Sequence, residues 1–364
     1  MTIASVDAAV AAVPFRWRDG ERLVCYGRGS SAQAGDLVTA ARLGSFVLLT
    51  GSHDRLAPAD LAAAATTVIA APSGPVPVTA AAVAPAFASR TVDAIVVVGG
   101  GRVIDAAKAL AAAFDLRLAA LPTTLSGAEM TAAHRPLPDG SGAAPRRPSL
   151  VVNDPALSAS QPLPELAASA MNALAHAMEA LYGPGAEPSS SAAAVRAAGF
   201  IARGLEATAQ KECRRQGGER GAEREQGAER DHLALGALLA GYALGVAGMG
   251  LHHAVCQTIV RLTGTPHGAV NAVVLPHTFR HVLPRAHDAL APLAASLSPE
   301  GDDAAARTLA ELAAVSGATR LRQLGVTPED LPRVAAALSQ RPELARPAPP
   351  TSSAELAALL EAAL

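Results

Sequence analysis

The chain has 364 residues, half of them hydrophobic and 3% aromatic, with a formal net charge of −2; this is enough for about two domains with an alanine-rich, helix-dominated core. The near-neutral charge, with no basic stripe, excludes nucleic acid as a partner. Three cysteines at scattered positions, Cys25, Cys213 and Cys256, exclude a disulfide framework and fit a reducing cytoplasmic setting.

The first residues, Met1–Asp7, lack a basic region followed by an apolar run and do not read as a secretory signal. The first expected strand is Arg22–Tyr26, closing in the turn Gly27-Arg28-Gly29-Ser30, with a helix over Ser31–Leu43. A second strand is expected at Ser45–Thr50, ending in Gly51 and Ser52, with a helix over Ala57–Ala71. Val76–Thr79 reads as a third strand, weakened by its prolines. Ala94–Val98 is the clearest strand, followed by a helix over Val103–Ala113 and by strands at Leu118–Leu121 and Leu150–Asn153. Near-continuous apolar strands alternating with helices predict a parallel sheet covered on both faces.

After Asp154-Pro155 the pattern becomes helical and alanine-rich, with almost no strand signal. The expectation is an α/β dinucleotide-binding domain over 1–158 and an all-α substrate domain over 159–364. Ala234–Leu251 is apolar but rich in Gly and Ala, and it runs into His252 and His253; it reads as a buried core helix rather than a membrane span. Lys211–Arg230 is a charged low-complexity stretch expected to be a solvated loop. Arg341–Thr351 is proline-rich and extended, ahead of a last helix at Ser353–Leu364.

Two stretches carry nucleotide chemistry. Gly99-Gly100-Gly101-Arg102 joins the clearest strand to a helix, where glycines let the backbone approach a pyrophosphate and the helix start offers free N–H groups. Asp105 and Lys108 share one face of that helix. Thr123, Thr124 and Ser126 then supply hydroxyls after the next strand. Gly51 and Ser52 add a further turn, and Thr50–His53 offers no acidic residue to enforce exclusion of a 2′-phosphate, so either NADH or NADPH is expected as cofactor.

The second constellation is Asn172 and His176, four apart on one helical face, with His253 and His267. An acidic residue in place of Asn172 would complete a four-ligand site for a divalent cation. A neutral amide there, with three imidazoles, binds such a cation much more weakly.

Taken together, these motifs resemble the iron-containing alcohol dehydrogenase superfamily and, within it, the maleylacetate reductases. The resemblance runs from Tyr26–Ser30 through Gly99–Lys108, Pro122–Thr131, Asn153–Leu157 and Met171–Tyr182. It continues over Gly248–His253, Thr265–His267 and Val273–His277. It implies the dehydroquinate synthase-like fold of that superfamily, with its active site in a cleft between the two domains, and a dimer. In metal-dependent members an Asp and three His occupy the positions of Asn172, His176, His253 and His267. The Asn is typical of the maleylacetate reductases, so no bound metal is expected. The implied reaction is NAD(P)H-dependent reduction of the conjugated C=C of a small unsaturated oxo-acid. His253, His267, His176, Asn172 and Gln257 would then be catalytic, with His252 and Arg135 as candidates for the substrate carboxylates. Two positions depart from the pattern: Arg102 replaces a serine after the glycine turn, and Gln257 replaces a histidine one helical turn after His253. Alternatives are a metal-dependent alcohol or aldehyde dehydrogenase, and a diverged biosynthetic or non-catalytic relative.

Overall fold

The computed structural model describes residues 11, 13–51, 56–88, 91–217, 227–347 and 349–364. Within it the chain separates into two compact units, Met1–Ser160 and Gln161–Leu364.

The first unit is built on a seven-stranded sheet: β1 (Phe15–Asp19), β2 (Arg22–Tyr26), β3 (Phe46–Thr50), β4 (Thr67–Ala70), β5 (Ala94–Gly99), β6 (Arg117–Pro122) and β7 (Leu150–Asn153), in the spatial order β1-β2-β7-β6-β5-β3-β4. All neighbours are parallel except the β1–β2 hairpin, where Phe15 faces Tyr26 and Asp19 faces Arg22. β3 and β5 are buried at every position, as strands covered on both faces must be. One face packs Val47, Leu49, Ile95 and Val97 against the helices Val76–Val83 and Gly101–Ala113. The other packs Leu48, Val96 and Val98 against Leu37 and Val38 of the helix Ala34–Ala40 and Leu61 of the helix Ala59–Ala64.

Three elements differ from the sequence expectation. Val76–Thr79 opens a helix rather than forming a strand, because Pro75 and Pro77 stand at its start, where a missing N–H costs nothing. The helix expected over Ala57–Ala71 stops at Ala64, and Thr67–Ala70 becomes the edge strand β4, pairing Val47 with Thr67 and Thr50 with Ala70. β1, which alternates apolar and charged residues, is an additional edge strand.

The second unit is helical throughout its described residues. Its central helix, Leu163–Ala180, is buried from Ala170 to Ala180 and packs against the helices Pro188–Gln216, Ala228–Ala247 and His267–Val282. The helix Leu251–Thr263 packs on His267–Val282. No single described helix is long and apolar enough to cross a membrane; Ala228–Ala247 and Leu251–Thr263 pass such a test only together, across a 100° bend.

Candidate functional site

In the first unit, β3 continues into the helix Ala59–Ala64 on one face of the sheet, whereas β5 continues into Gly101–Ala113 on the other. β3 and β5 are adjacent, so their carboxyl ends flank a topological switch point, the place where parallel sheets accept ligands. Gly51 and Gly99–Gly101 lie there. The Gly51 N–H donates to Val98 O at 3.1 Å, and the Thr123 N–H donates to Gly99 O at 3.0 Å, so the three loops are locked in register. A Cβ at Gly100 would lie 2.9 Å from Thr124 Cγ2, and one at Gly101 would lie 2.7 Å from Ser126 Cβ. Only glycine lets this turn close against the hydroxyl-bearing loop. The first N–H groups of Gly101–Ala113 have no intrahelical acceptor, and Gly100 provides no side-chain cap. Thr123 and Thr124 are partly exposed beside them. This is a cradle of backbone donors and hydroxyls suited to a pyrophosphate. Ser52 lies outside the described residues.

Two charged residues of the expected set are engaged elsewhere. Arg102 donates through one terminal nitrogen to Pro72 O (2.7 Å), Gly74 O (3.2 Å) and Thr79 Oγ1 (3.1 Å), tying the helix start to the turn after β4. Lys108 is fully buried, and its ammonium donates to Asp105 Oδ1 (3.0 Å), Thr131 Oγ1 (3.1 Å) and Ala133 O (3.1 Å). With three partners its donors are saturated, and Asp105 serves it as a counter-ion. The placing of Asp105 and Lys108 among the cofactor-binding residues is therefore corrected: the pair pins the hydroxyl loop from behind. Arg135 is exposed on the segment after this loop.

In the second unit, Asn172, His176 and Glu179 follow one face of Leu163–Ala180 at helical spacing. Asn172 Nδ2 lies 3.4 Å from His176 Nε2. The rings of His176 and His253 stack, with centroids 4.7 Å apart and planes at 26°. Glu179 accepts the backbone N–H of His253 through Oε1 at 2.9 Å and the ring Nδ1–H through Oε2 at 2.6 Å. Burial alone would raise this carboxyl; the His253 ring and its hydrogen bonds outweigh it and hold the group below the ordinary carboxylate range. Burial and the Glu179 carboxylate push the Tyr182 phenol well up. A Cβ at Gly250 would meet Tyr182 at 2.7 Å and Glu179 Oε1 at 3.2 Å, so the start of Leu251–Thr263 sits directly on these two side chains.

The remaining expected residues separate. His252 is fully buried, with Nδ1 2.8 Å from Thr278 Oγ1 and Nε2 2.9 Å from Asn271 Oδ1. Burial, followed by the neighbouring His253 ring, lowers it to about 3. It is a neutral clasp between two helices with both nitrogens taken, which corrects its placement as a substrate ligand. Asn271 also donates to His267 O at 2.8 Å and so fixes the start of His267–Val282, where the His267 side chain is exposed. Gln257 donates to Met249 Sδ (3.3 Å) and accepts from Arg341 (3.3 Å). Glu179, Tyr182, Asn271 and Thr278 were absent from the sequence-derived set. For Glu179 the signal was present, at positions 172, 176 and 179 on one helical stripe.

Where a carboxylate would be needed to hold a divalent cation stands the neutral Asn172 amide, a weaker donor for such an ion. The backbone cradle at Gly99–Gly101 does suit a dinucleotide.

Family models extend over most of the chain. Residues 166–364 match the Fe-containing alcohol dehydrogenase family, C-terminal, and residues 26–162 match iron-containing alcohol dehydrogenase. The chain is 35% identical over 273 residues to maleylacetate reductase 1 of Rhodococcus opacus, covering 74% of this chain and 72% of that one. It is 31% identical over 340 residues to the maleylacetate reductase of Rhizobium sp. (strain MTP-10005), covering 90% and 92%. The crystal structure of maleylacetate reductase from Agrobacterium tumefaciens superposes with a TM-score of 0.80 at 27% identity, covering 96% of this chain and 97% of that one.

Proposed function

Because the chain belongs to the iron-containing alcohol dehydrogenase family, we propose that this NAD(P)H-dependent oxidoreductase reduces the conjugated C=C of maleylacetate, or of a closely related unsaturated oxo-acid, to the 3-oxoadipate-type product without a metal ion. The observation that carries the reading is the neutral donor set: the Asn172 amide beside the stacked imidazoles of His176 and His253. A relative named for this activity, aligned over nine-tenths of the chain, supports the substrate class.

A bound reduced nicotinamide supplies the hydride. Addition to the conjugated double bond moves negative charge onto the ketone oxygen, and that oxygen must meet hydrogen-bond donors. The Asn172 amide provides an N–H group of this kind, with the paired imidazoles beside it. Histidine is suited to completing the proton transfer because its ordinary value, about 6.5, lies near working pH. His267, at an exposed helix start, and Arg135, an exposed cation, are assigned to the substrate carboxylates. Gly51, Gly99–Gly101, Thr123, Thr124 and Ser126 are assigned to the nucleotide. The same reading takes the enzyme as a cytoplasmic homodimer, with neither nucleic acid nor membrane as partner.

The test is NADH and NADPH oxidation against maleylacetate, other 2-enoic oxo-acids and simple aldehydes. Turnover is expected with the conjugated oxo-acids. Turnover confined to simple aldehydes would overturn the substrate assignment.

A further inference from the structure

The Glu179 carboxylate does two things at once, and both act on one residue. Through Oε1 it takes the backbone N–H of His253, one of the orphan donors at the start of Leu251–Thr263, and so caps that helix from a different helix. Through Oε2 it takes the ring proton at Nδ1, at 2.6 Å. Glu179 is fully buried and the His253 side chain is 4% exposed, so water does not compete for either bond. The ring's other nitrogen, Nε2, is buried with no hydrogen-bond partner among the described residues. The stacked His176 ring blocks rotation on one side.

We propose that Glu179 is the positioning residue of this active site, fixing the His253 ring in the Nδ1–H tautomer so that Nε2 is the ring atom left to face the substrate and take part in its proton transfer. A carboxylate only accepts hydrogen bonds, so it selects Nδ1 as the protonated nitrogen of the neutral ring. Its two oxygens set backbone and ring together, which leaves the imidazole no independent rotamer. This inference rests on the proposed role of His253.

The experiment compares Glu179→Gln, His253→Ala and the double variant in NAD(P)H oxidation with maleylacetate, alongside 15N-edited spectra of the wild-type histidines. Gln keeps the shape of the side chain but removes its obligatory acceptor character. The expected result is a kcat lowered about 10- to 100-fold with KM nearly unchanged, no further loss when the change is added to His253→Ala, and a wild-type His253 protonated at Nδ1. Unchanged kcat in Glu179→Gln, or additive losses in the double variant, would overturn the proposal. If Glu179→Gln does not fold, the wild-type spectrum decides, and an Nε2–H tautomer refutes it. Full activity in His253→Ala would instead remove the functional reading beneath it.

Discussion

At the level of single residues, the structure separates side chains that face chemistry from side chains that hold the frame, although the sequence presents them in the same motifs. His252 and His253 are adjacent, yet His252 has both nitrogens bound between Thr278 and Asn271, whereas His253 keeps Nε2 without a partner among the described residues. His253→Ala is therefore expected to lower kcat/KM by roughly 10²–10⁴, the usual contribution of a positioned proton-transfer group, measured by cofactor oxidation. Arg102 gives the opposite expectation. Its contacts are to Pro72, Gly74 and Thr79, so Arg102→Ala should leave the nucleotide Kd within about threefold and lower stability by roughly 1–2 kcal/mol through lost hydrogen bonds. Calorimetric titration with NADH and thermal unfolding measure the two effects. A large loss of nucleotide affinity would mean that the guanidinium leaves this turn to meet a phosphate.

At the level of elements, the glycine turn after β5 and the loop after β6 act as one unit. Gly101→Ala would drive a Cβ to 2.7 Å from Ser126 Cβ, and the loop must shift to admit it. Nucleotide affinity should fall about tenfold or more, with an overpacking cost of roughly 1–3 kcal/mol; binding titrations of the folded variant check this. The buried strands of this unit were legible from sequence because β3 and β5 are apolar at nearly every position. The edges were not. β4 follows an alanine-rich helical run that hides its start, and β1 alternates with charges because one side of an edge strand meets water. Val76-Pro77-Val78-Thr79 carries β-branched residues, but its prolines serve a helix start. The histidine pair was legible from motif order. Glu179 was not given a role because an acidic residue beside an apolar helical run reads equally well as solvent-facing, and only the packing of Leu251–Thr263 against it shows what it holds. Lys108 misled for a similar reason: sequence gives its helical face but not that Thr131 and Ala133 return to meet it.

For the whole molecule, buried charge makes stability depend on pH. Burial raises the Glu129 carboxyl from 4.5 to about 7, against the pull of Lys108 and Arg22. Between those values the folded protein holds a proton that the unfolded chain has released. The contribution to stability is thus fully present below about 4.5 and is lost as pH rises through about 7, a difference of about 3 kcal/mol. Glu129→Gln should flatten the thermal-unfolding profile across that range and exceed wild type in Tm at pH 8; parallel Tm curves for the two proteins would contradict it. The final helix Ser353–Ala363 closes the second unit, as the sequence implied, whereas Pro342–Ala345 of the Pro-rich stretch expected to be extended turns into a 3-10 helix. We propose that this member of a metal-named family works through an amide and imidazoles alone. The most direct measurement is turnover of maleylacetate by protein stripped with a strong chelator and verified by elemental analysis. Undiminished kcat is expected in the stripped enzyme, with no gain on adding Fe²⁺ or Zn²⁺. Activity that vanishes on stripping and returns with one equivalent of either ion would contradict it.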